Sequence, residues 1–406
     1  MELKEISGGV CAAKGFKASG MHTGLSKNPS KNDVGLIFCE KKCSAAAVYT
    51  QNKVKGSPII VTQKNISDGE AQAVIVNSTN ANTCNADGEE KAVKMCELTA
   101  NALGIKKEDV IVASTGVIGQ PLNIKPIEDN IGNLAKLLTW EGSDEWAKAI
   151  MRTDTRKKES AVEFVVDGKI CRLGGIAKGS GMIHPNMATM LCFMTTDVNI
   201  SKEMLWRVLS EVTKTTFNRV SVDGDTSTND MACVLSSGMA ENSEIISVND
   251  NYKIFKNALF EVMRYLSKEI ARDGEGASKL LECVCLNAPD EATAEIVAKS
   301  VITSSLFKAA MFGEDANWGR VLCAIGYAPA EFDINLVDVS LSSKAGIIDV
   351  CKDGSGLDFS EETAKVILGE NEIRIIVNLK SGNETAEAWG CDLTYDYVKI
   401  NGDYRS

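Results

Sequence analysis

The chain has 406 residues, 44% apolar and 24% charged, the balance of a folded protein with a core large enough for two or three structural units. Its formal net charge of −11 argues against nucleic acid or an anionic membrane surface as a partner. No apolar run approaches the roughly 18 residues that cross a bilayer, so no membrane partner is expected. The thirteen cysteines form no CxxC pair, and their closest spacings are Cys39/Cys43 and Cys283/Cys285. With His22 and His184 the only histidines, zinc-finger spacing is excluded and no metal is expected. Scattered, apolar-flanked thiols read as reduced core cysteines. The N-terminal MELKEISGGV has neither an apolar signal core nor an Arg/Ser-rich transit character, so a cytoplasmic protein is expected.

In chain order, short β-rich runs are predicted at 34–38, 59–61, 73–76, 110–113, 162–166, 191–194, 234–236, 372–377 and 394–400. Amphipathic helices are predicted at 89–103, 130–138, 202–217, 252–270, 292–304 and 360–367. Interleaved strands and helices point to an α/β protein with helix layers over a sheet core. A Gly-rich turn at 271–279 followed by a new β-like run suggests a main unit over 1–282 and a smaller C-terminal α+β unit over 283–406.

The chemistry concentrates at Ala188–Thr189, inside KGSGMIHPNMATML (178–191). A hydroxyl nucleophile follows a small residue and precedes an apolar strand. Such a junction can cut itself when the hydroxyl attacks the preceding carbonyl and the ester is hydrolysed. The new N-terminal amine titrates near ~8 and can serve as the base for its own hydroxyl. Imidazole is nearly absent, and His184, ahead of Pro185, reads as a loop side chain. Gly179, Gly181, Pro185 and Asn186 make the approach a tight, irregular loop. The strand at 110–113 runs into Ser114-Thr115-Gly116, a place for exposed backbone donors or for an ordinary turn.

These segments carry a resemblance. KGSGMIHPNMATML resembles the cleavage signature of the ornithine acetyltransferase family, the glutamate N-acetyltransferases of arginine biosynthesis. GGVCAAKGFKASGMHTGL (8–25), ASTGVIGQPL (113–122), RTDT (152–155), SVDGDTSTND (221–230), ARDGEGASK (271–279), FGEDANWGRVLCAIGYA (312–328) and YVKINGDYRS (397–406) resemble family blocks in family order, nearly end to end. The resemblance implies an αββα-type sandwich of the self-cleaving N-terminal-nucleophile kind, processed into 1–188 and 189–406. It implies Thr189 as nucleophile, Thr115 and Gly116 as the oxyanion hole, and Thr153, Lys178, Thr189, Glu275, Asn401 and Ser406 lining the substrate pocket.

The implied reaction transfers acetyl from N2-acetyl-L-ornithine to L-glutamate through an acetyl-Thr189 ester, giving ornithine and N-acetylglutamate. No cofactor is implied, although acetyl-CoA is a second donor open to the family. A heterotetramer of two alpha and two beta chains is implied too. Local cations such as Lys178 and Arg152 must reverse the field for an anionic substrate. The family more often ends Ala-Asp-Tyr-Arg-Thr, whereas Gly402 and Ser406 stand here, which puts one terminal contact in doubt.

Three other readings compete. A self-cleaving aminopeptidase of the same fold would use Ser and pass its acyl group to water. DGDTS (223–227) mimics the DxDx[TV] motif of Mg²⁺-dependent phosphatases, with Ser at the last position. A non-catalytic scaffold would leave the Gly- and Thr-rich blocks without a purpose.

Overall fold

The computed structural model describes residues 3–184 and 190–403. It is a mixed α/β protein with two sheets, and the chain divides into two compact units. The first comprises Met1–Gly179, Pro185–Asn218 and Thr226–Leu266; the second comprises Ser180–His184, Arg219–Asp225 and Ser267–Ser406.

The strands of the first half are β1 (Lys4–Glu5), β2 (Phe16–Met21), β3 (Val34–Tyr49), β4 (Glu70–Asn77), β5 (Val110–Ser114), β6 (Lys158–Val166), β7 (Lys169–Lys178) and β8 (Leu191–Thr196). After β9 (Val220–Ser221) and β10 (Met231–Ser236) come β11 (Leu280–Ala288), β12 (Asp338–Ser343), β13 (Gly346–Lys352), β14 (Ser355–Gly356), β15 (Glu372–Asn378) and β16 (Glu384–Cys391).

The first unit's sheet runs β1-β6-β7-β8-β10-β3-β4-β5, with β2 beside β3. The β8–β10 and β4–β5 pairs are parallel and the rest antiparallel. Its strands bury both faces, so β4, β5, β8 and β10 read as nearly continuous apolar runs. Alternate residues serve two clusters. Leu36, Ile75 and Val112 face α1 (Ser57–Asn65), α2 (Gly88–Leu103) and α3 (Lys125–Lys136), while Ile37, Val74 and Ile111 face α4 (Ser143–Ile150). Helix α4 sits so close to the sheet that a Cβ on Gly35 would fall 2.7 Å from the Trp146 ring. Trp146 then stands edge-on to Phe193 of β8 at 5.2 Å. Helix α5 (Lys202–Thr215) lies against β3, and α6 (Asp250–Arg272) follows.

The second unit's sheet runs β14-β13-β12-β15-β11-β16-β9, parallel at β11–β15 and β16–β9. Its core draws on α7 (Glu291–Thr303), α8 (Ser305–Phe312), α9 (Trp318–Gly326) and α10 (Glu361–Leu368), with α11 (Tyr395–Gly402) at the end. Asp290, Ser304, Asn317, Ser360 and Thr394 each cap one of these helices by accepting a backbone N–H three residues on.

Two expected strands are helices. The run 59–61 lies in α1, where Pro58 occupies a first-turn position and Ile59 and Val61 reach two different core clusters. The run 394–400 begins with the cap Thr394 and winds into α11. Both errors come from reading β-branched residues as strand when capping and packing decide otherwise. Strand β3 extends eleven residues past the expected end at 38, through the charged Glu40-Lys41-Lys42 and the small Ala45–Ala47. The division considered at 282/283 falls inside β11, and the second compact unit takes up the chain from Ser267.

Candidate active site

The parallel strands β4 and β5 end together, with Asn77 opposite Ser114. Beyond them Thr115 N–H donates to Asn77 O at 3.0 Å, and Asn77 Nδ2 donates to Ser114 Oγ at 2.7 Å. Gly116 follows at φ +132°, and a Cβ there would meet the Thr79 carbonyl oxygen at 2.2 Å, so only glycine fits. The Gly116 N–H has no acceptor among the described residues. Lys178 Nζ donates to Thr115 Oγ1 at 3.2 Å. An ammonium donating to a hydroxyl strengthens that hydroxyl as a donor in turn, so Thr115 O–H and Gly116 N–H form two donors suited to an oxyanion.

Lys178 closes β7, and a buried carboxylate fixes that end. Asp154 Oδ1 accepts Gly179 N–H at 2.8 Å and Lys158 Nζ at 2.6 Å, while Oδ2 accepts Arg152 N–H at 2.9 Å. Neither the Asp154 nor the Lys158 side chain is exposed. Burial alone would push the Asp154 carboxyl up, but Lys158, Lys178 and the Arg152 N–H overcome it and hold the group well below the usual carboxylate range. One carboxylate thereby ties the turn carrying Thr153 to the strand end carrying Lys178. Lys31 Nζ reaches the Arg152 carbonyl at 3.0 Å, and burial, with Arg152 and Lys178 nearby, pushes the Lys31 amine down. Lys31, Arg152 and Lys178 thus lie near one another, with the carboxylates of Asp154 and Asp33 among them.

Strand β10 reaches the same region from the other side of β8. Met231 N–H donates to Met190 O at 2.9 Å, and Met231 pairs with Leu191. Just before it, Asn229 Nδ2 donates to Ala81 O at 2.6 Å and Ser114 O at 3.0 Å. Its Oδ1 accepts from Thr83 and Thr228 hydroxyls, each at 2.6 Å. This buried amide, satisfied on all sides, braces the Ser114-Thr115-Gly116 turn. Sequence reading singled out neither Asn229 nor Asp154, although both lie in blocks that carried the resemblance.

The second unit holds Glu275 and Asn401 together, with Asn401 Nδ2 donating to Glu275 Oε2 at 2.8 Å. Glu275 is 8% exposed, its N–H donates to Ser180 O at 2.8 Å, and Gly181 leaves room for its carboxylate. His184 Nδ1 lies 3.1 Å from Ser221 Oγ, and burial, then Lys299, pushes its imidazole down. Asp223 accepts Met182 N–H at 2.6 Å and Ile183 N–H at 2.9 Å, the work of a loop organiser rather than a phosphatase nucleophile. Among the described residues, no three His, Cys, Asp or Glu side chains gather as metal ligands. Of the expected site residues, Thr115, Gly116, Thr153 and Lys178 lie in the first unit and Glu275 and Asn401 in the second. Ala188, Thr189 and Ser406 lie outside the described residues.

The bifunctional arginine-biosynthesis protein ArgJ 1 of Clostridium acetobutylicum is 50% identical over 392 residues, 96% of either chain. The ArgJ protein of Caldanaerobacter subterraneus subsp. tengcongensis is 47% identical over 405 residues, the full length of both. A crystal structure of the arginine-biosynthesis bifunctional protein ArgJ from Bacillus halodurans aligns with a TM-score of 0.50 at 46% identity, covering 52% of this chain and 97% of that one. Fold and relatives define an enzyme of arginine biosynthesis. The family model for ArgJ matches residues 17–406, and the chain belongs to the ArgJ family.

Proposed function

We propose that the protein cuts itself between Ala188 and Thr189 and then moves acetyl from N2-acetyl-L-ornithine to L-glutamate through an ester on Thr189. The observation that carries the reading is the Lys178–Thr115 contact beside the open Gly116 N–H, two donors at the end of a buried strand. In cleavage, the Thr189 hydroxyl attacks the Ala188 carbonyl, and water hydrolyses the ester to an Ala188 carboxylate and a free Thr189 amine. In the first half-reaction that amine takes the hydroxyl proton as the oxygen attacks the acetyl carbonyl. Thr115 and Gly116 hold the oxyanion, and collapse expels ornithine, whose nitrogen receives the proton from the Thr189 ammonium. The glutamate amine then attacks the ester, giving N-acetylglutamate and free Thr189.

Thr153, Lys178, Glu275, Asn401 and Ser406 bind the two amino acids in this scheme. Lys178 supplies a cation for a carboxylate and Glu275 an anion for the ornithine ammonium. Acetyl-CoA serves as the second acetyl donor, and no resident cofactor is called for. The active form is two alpha and two beta chains in the cytoplasm.

Intact mass of the purified protein beside Thr189→Ala tests the reading. Wild type is expected as two pieces of 188 and 218 residues, about 20 and 23 kDa, and the variant as one inactive 43.6 kDa chain. A single uncut chain in both, or cut protein without acetyl exchange between ornithine and glutamate, overturns it.

A further inference from the structure

Asn401 and Gly402 form the only Asn-Gly pair in the 406-residue sequence. They close α11, and both are exposed. Glycine stands where the family more often carries alanine. Asparagine before glycine is open to self-modification, because the next backbone nitrogen can turn back on the side-chain carbonyl. A Cβ on the second residue hinders that approach, and glycine has none.

Nothing else hinders it here, since no atom lies within 4 Å of where a Cβ on Gly402 would stand. What opposes ring closure is the helix, which engages the Gly402 N–H and keeps it turned from the Asn401 carboxamide. That opposition is weak in α11. The helix contributes no buried residue, and Tyr395 and Val398 stand largely exposed. The N–H of Asp403, the residue after it, has no acceptor among the described residues. A last turn so lightly packed opens at little cost. The carboxamide itself ties the turn down: Nδ2 donates to Glu275 Oε2 at 2.8 Å and to Tyr397 O at 3.1 Å.

We infer that Asn401 is a deamidation site. The Gly402 nitrogen attacks Asn401 Cγ, the Cγ–Nδ2 bond breaks, and Nδ2 leaves as ammonia with the proton that the Gly402 nitrogen gives up. Water then opens the five-membered imide at either carbonyl. One opening leaves aspartate; the other leaves isoaspartate, in which the main chain runs through the side chain. Both products remove the donor to Glu275 and add a negative charge. Glu275 is 8% exposed, so like charges replace a charge-assisted hydrogen bond at a nearly buried carboxylate. Isoaspartate also adds a methylene to the backbone, which the helical bond pattern cannot absorb. The covalent step rests on Asn401 and Gly402 alone, whereas any effect on activity rests on the substrate pocket proposed above.

Wild type and Gly402→Ala are incubated at mildly alkaline pH, folded and in guanidinium chloride. Peptides spanning Asn401 are mapped by mass, and acetyl exchange is measured on the folded samples. The unfolded wild type sets the clock. Over several of its conversion times, folded wild type is expected to gain about 1 Da at Asn401, with isoaspartate among the products. Folded Gly402→Ala is expected to convert about tenfold more slowly, because its Cβ blocks the turn-back. Asn401→Gln, whose carboxamide lies one carbon farther out, gives the same protection if the Ala variant does not fold.

Folded wild type left unmodified at Asn401 over that time overturns the inference, as does equal conversion in Gly402→Ala. Exchange activity that falls in step with conversion, and holds in Gly402→Ala, supports it together with the pocket. Full activity in converted protein leaves the deamidation standing and removes Asn401 from the proposed pocket.

Discussion

In the proposed reaction, Thr115 and Asn229 divide the work of the turn at 114–116 between a group that faces the reacting carbonyl and one that holds the backbone. Thr115→Val removes the hydroxyl that Lys178 polarises while keeping the side chain's shape. Its kcat for acetyl exchange is expected to fall about 10²–10³-fold with little change in KM, read by steady-state kinetics. Asn229→Ala strips partners from Ala81 O, Ser114 O and the hydroxyls of Thr83 and Thr228 at once. It is expected to cost about 1–3 kcal/mol in urea unfolding and to lower kcat by loosening the turn. The sequence pointed to Thr115, Gly116 and Lys178 because their blocks resemble those of a known family. It did not point to Asn229, since Ala81, Ser114 and Thr83 among its partners lie 115 to 148 residues away and no local pattern announces a brace across that distance.

The most demanding joint between elements is the Asp154–Lys158 pair, which anchors the start of β6 to the end of β7 through Gly179. Asp154→Asn removes the charge that faces buried Lys158 and is expected to cost about 3–5 kcal/mol, measured by urea unfolding at pH 7. The folded-state carboxyl is held below its unfolded value, so its contribution is complete above about pH 4 and fades as pH falls below that. The gap between wild type and Asp154→Asn is therefore expected to narrow at pH 3; an equal gap at both pH values contradicts the pairing. At this scale β4, β5, β8 and β10 were legible as buried apolar runs, and α2, α5, α6 and α7 by their amphipathic period. Helices α1 and α11 were not, because Ile59–Val61 and the β-branched residues after Thr394 carry strand composition on helical caps. The long β3 was clipped where charged and small residues interrupt its pattern.

Over the whole molecule, the proposed cut does not follow the fold's own divisions. In the first sheet, β8 and β10 come from the piece after the cut, and they stand between β7 and β3 from the piece before it. The second unit repeats the arrangement: Ser180–His184 precede the cut, yet Met182 and Ile183 donate to Asp223 beyond it. The two pieces are expected to co-elute on size exclusion in native buffer and to part only in denaturant. Free fragments in native buffer contradict the interleaved sheet.

Interleaving also gives the protein a history. While the chain is whole, β8 and β10 find their slot between β7 and β3 by an intramolecular search, at an effective concentration set by the connecting loop. After the cut that tether is gone, and reassembly becomes an encounter between two molecules. Refolding from urea should be independent of protein concentration for the uncut Thr189→Ala chain and dependent on it for the mature enzyme. The proposed cleavage thus works as a ratchet, because a cut molecule that loses its fold has lost the means of folding alone that the uncut chain had.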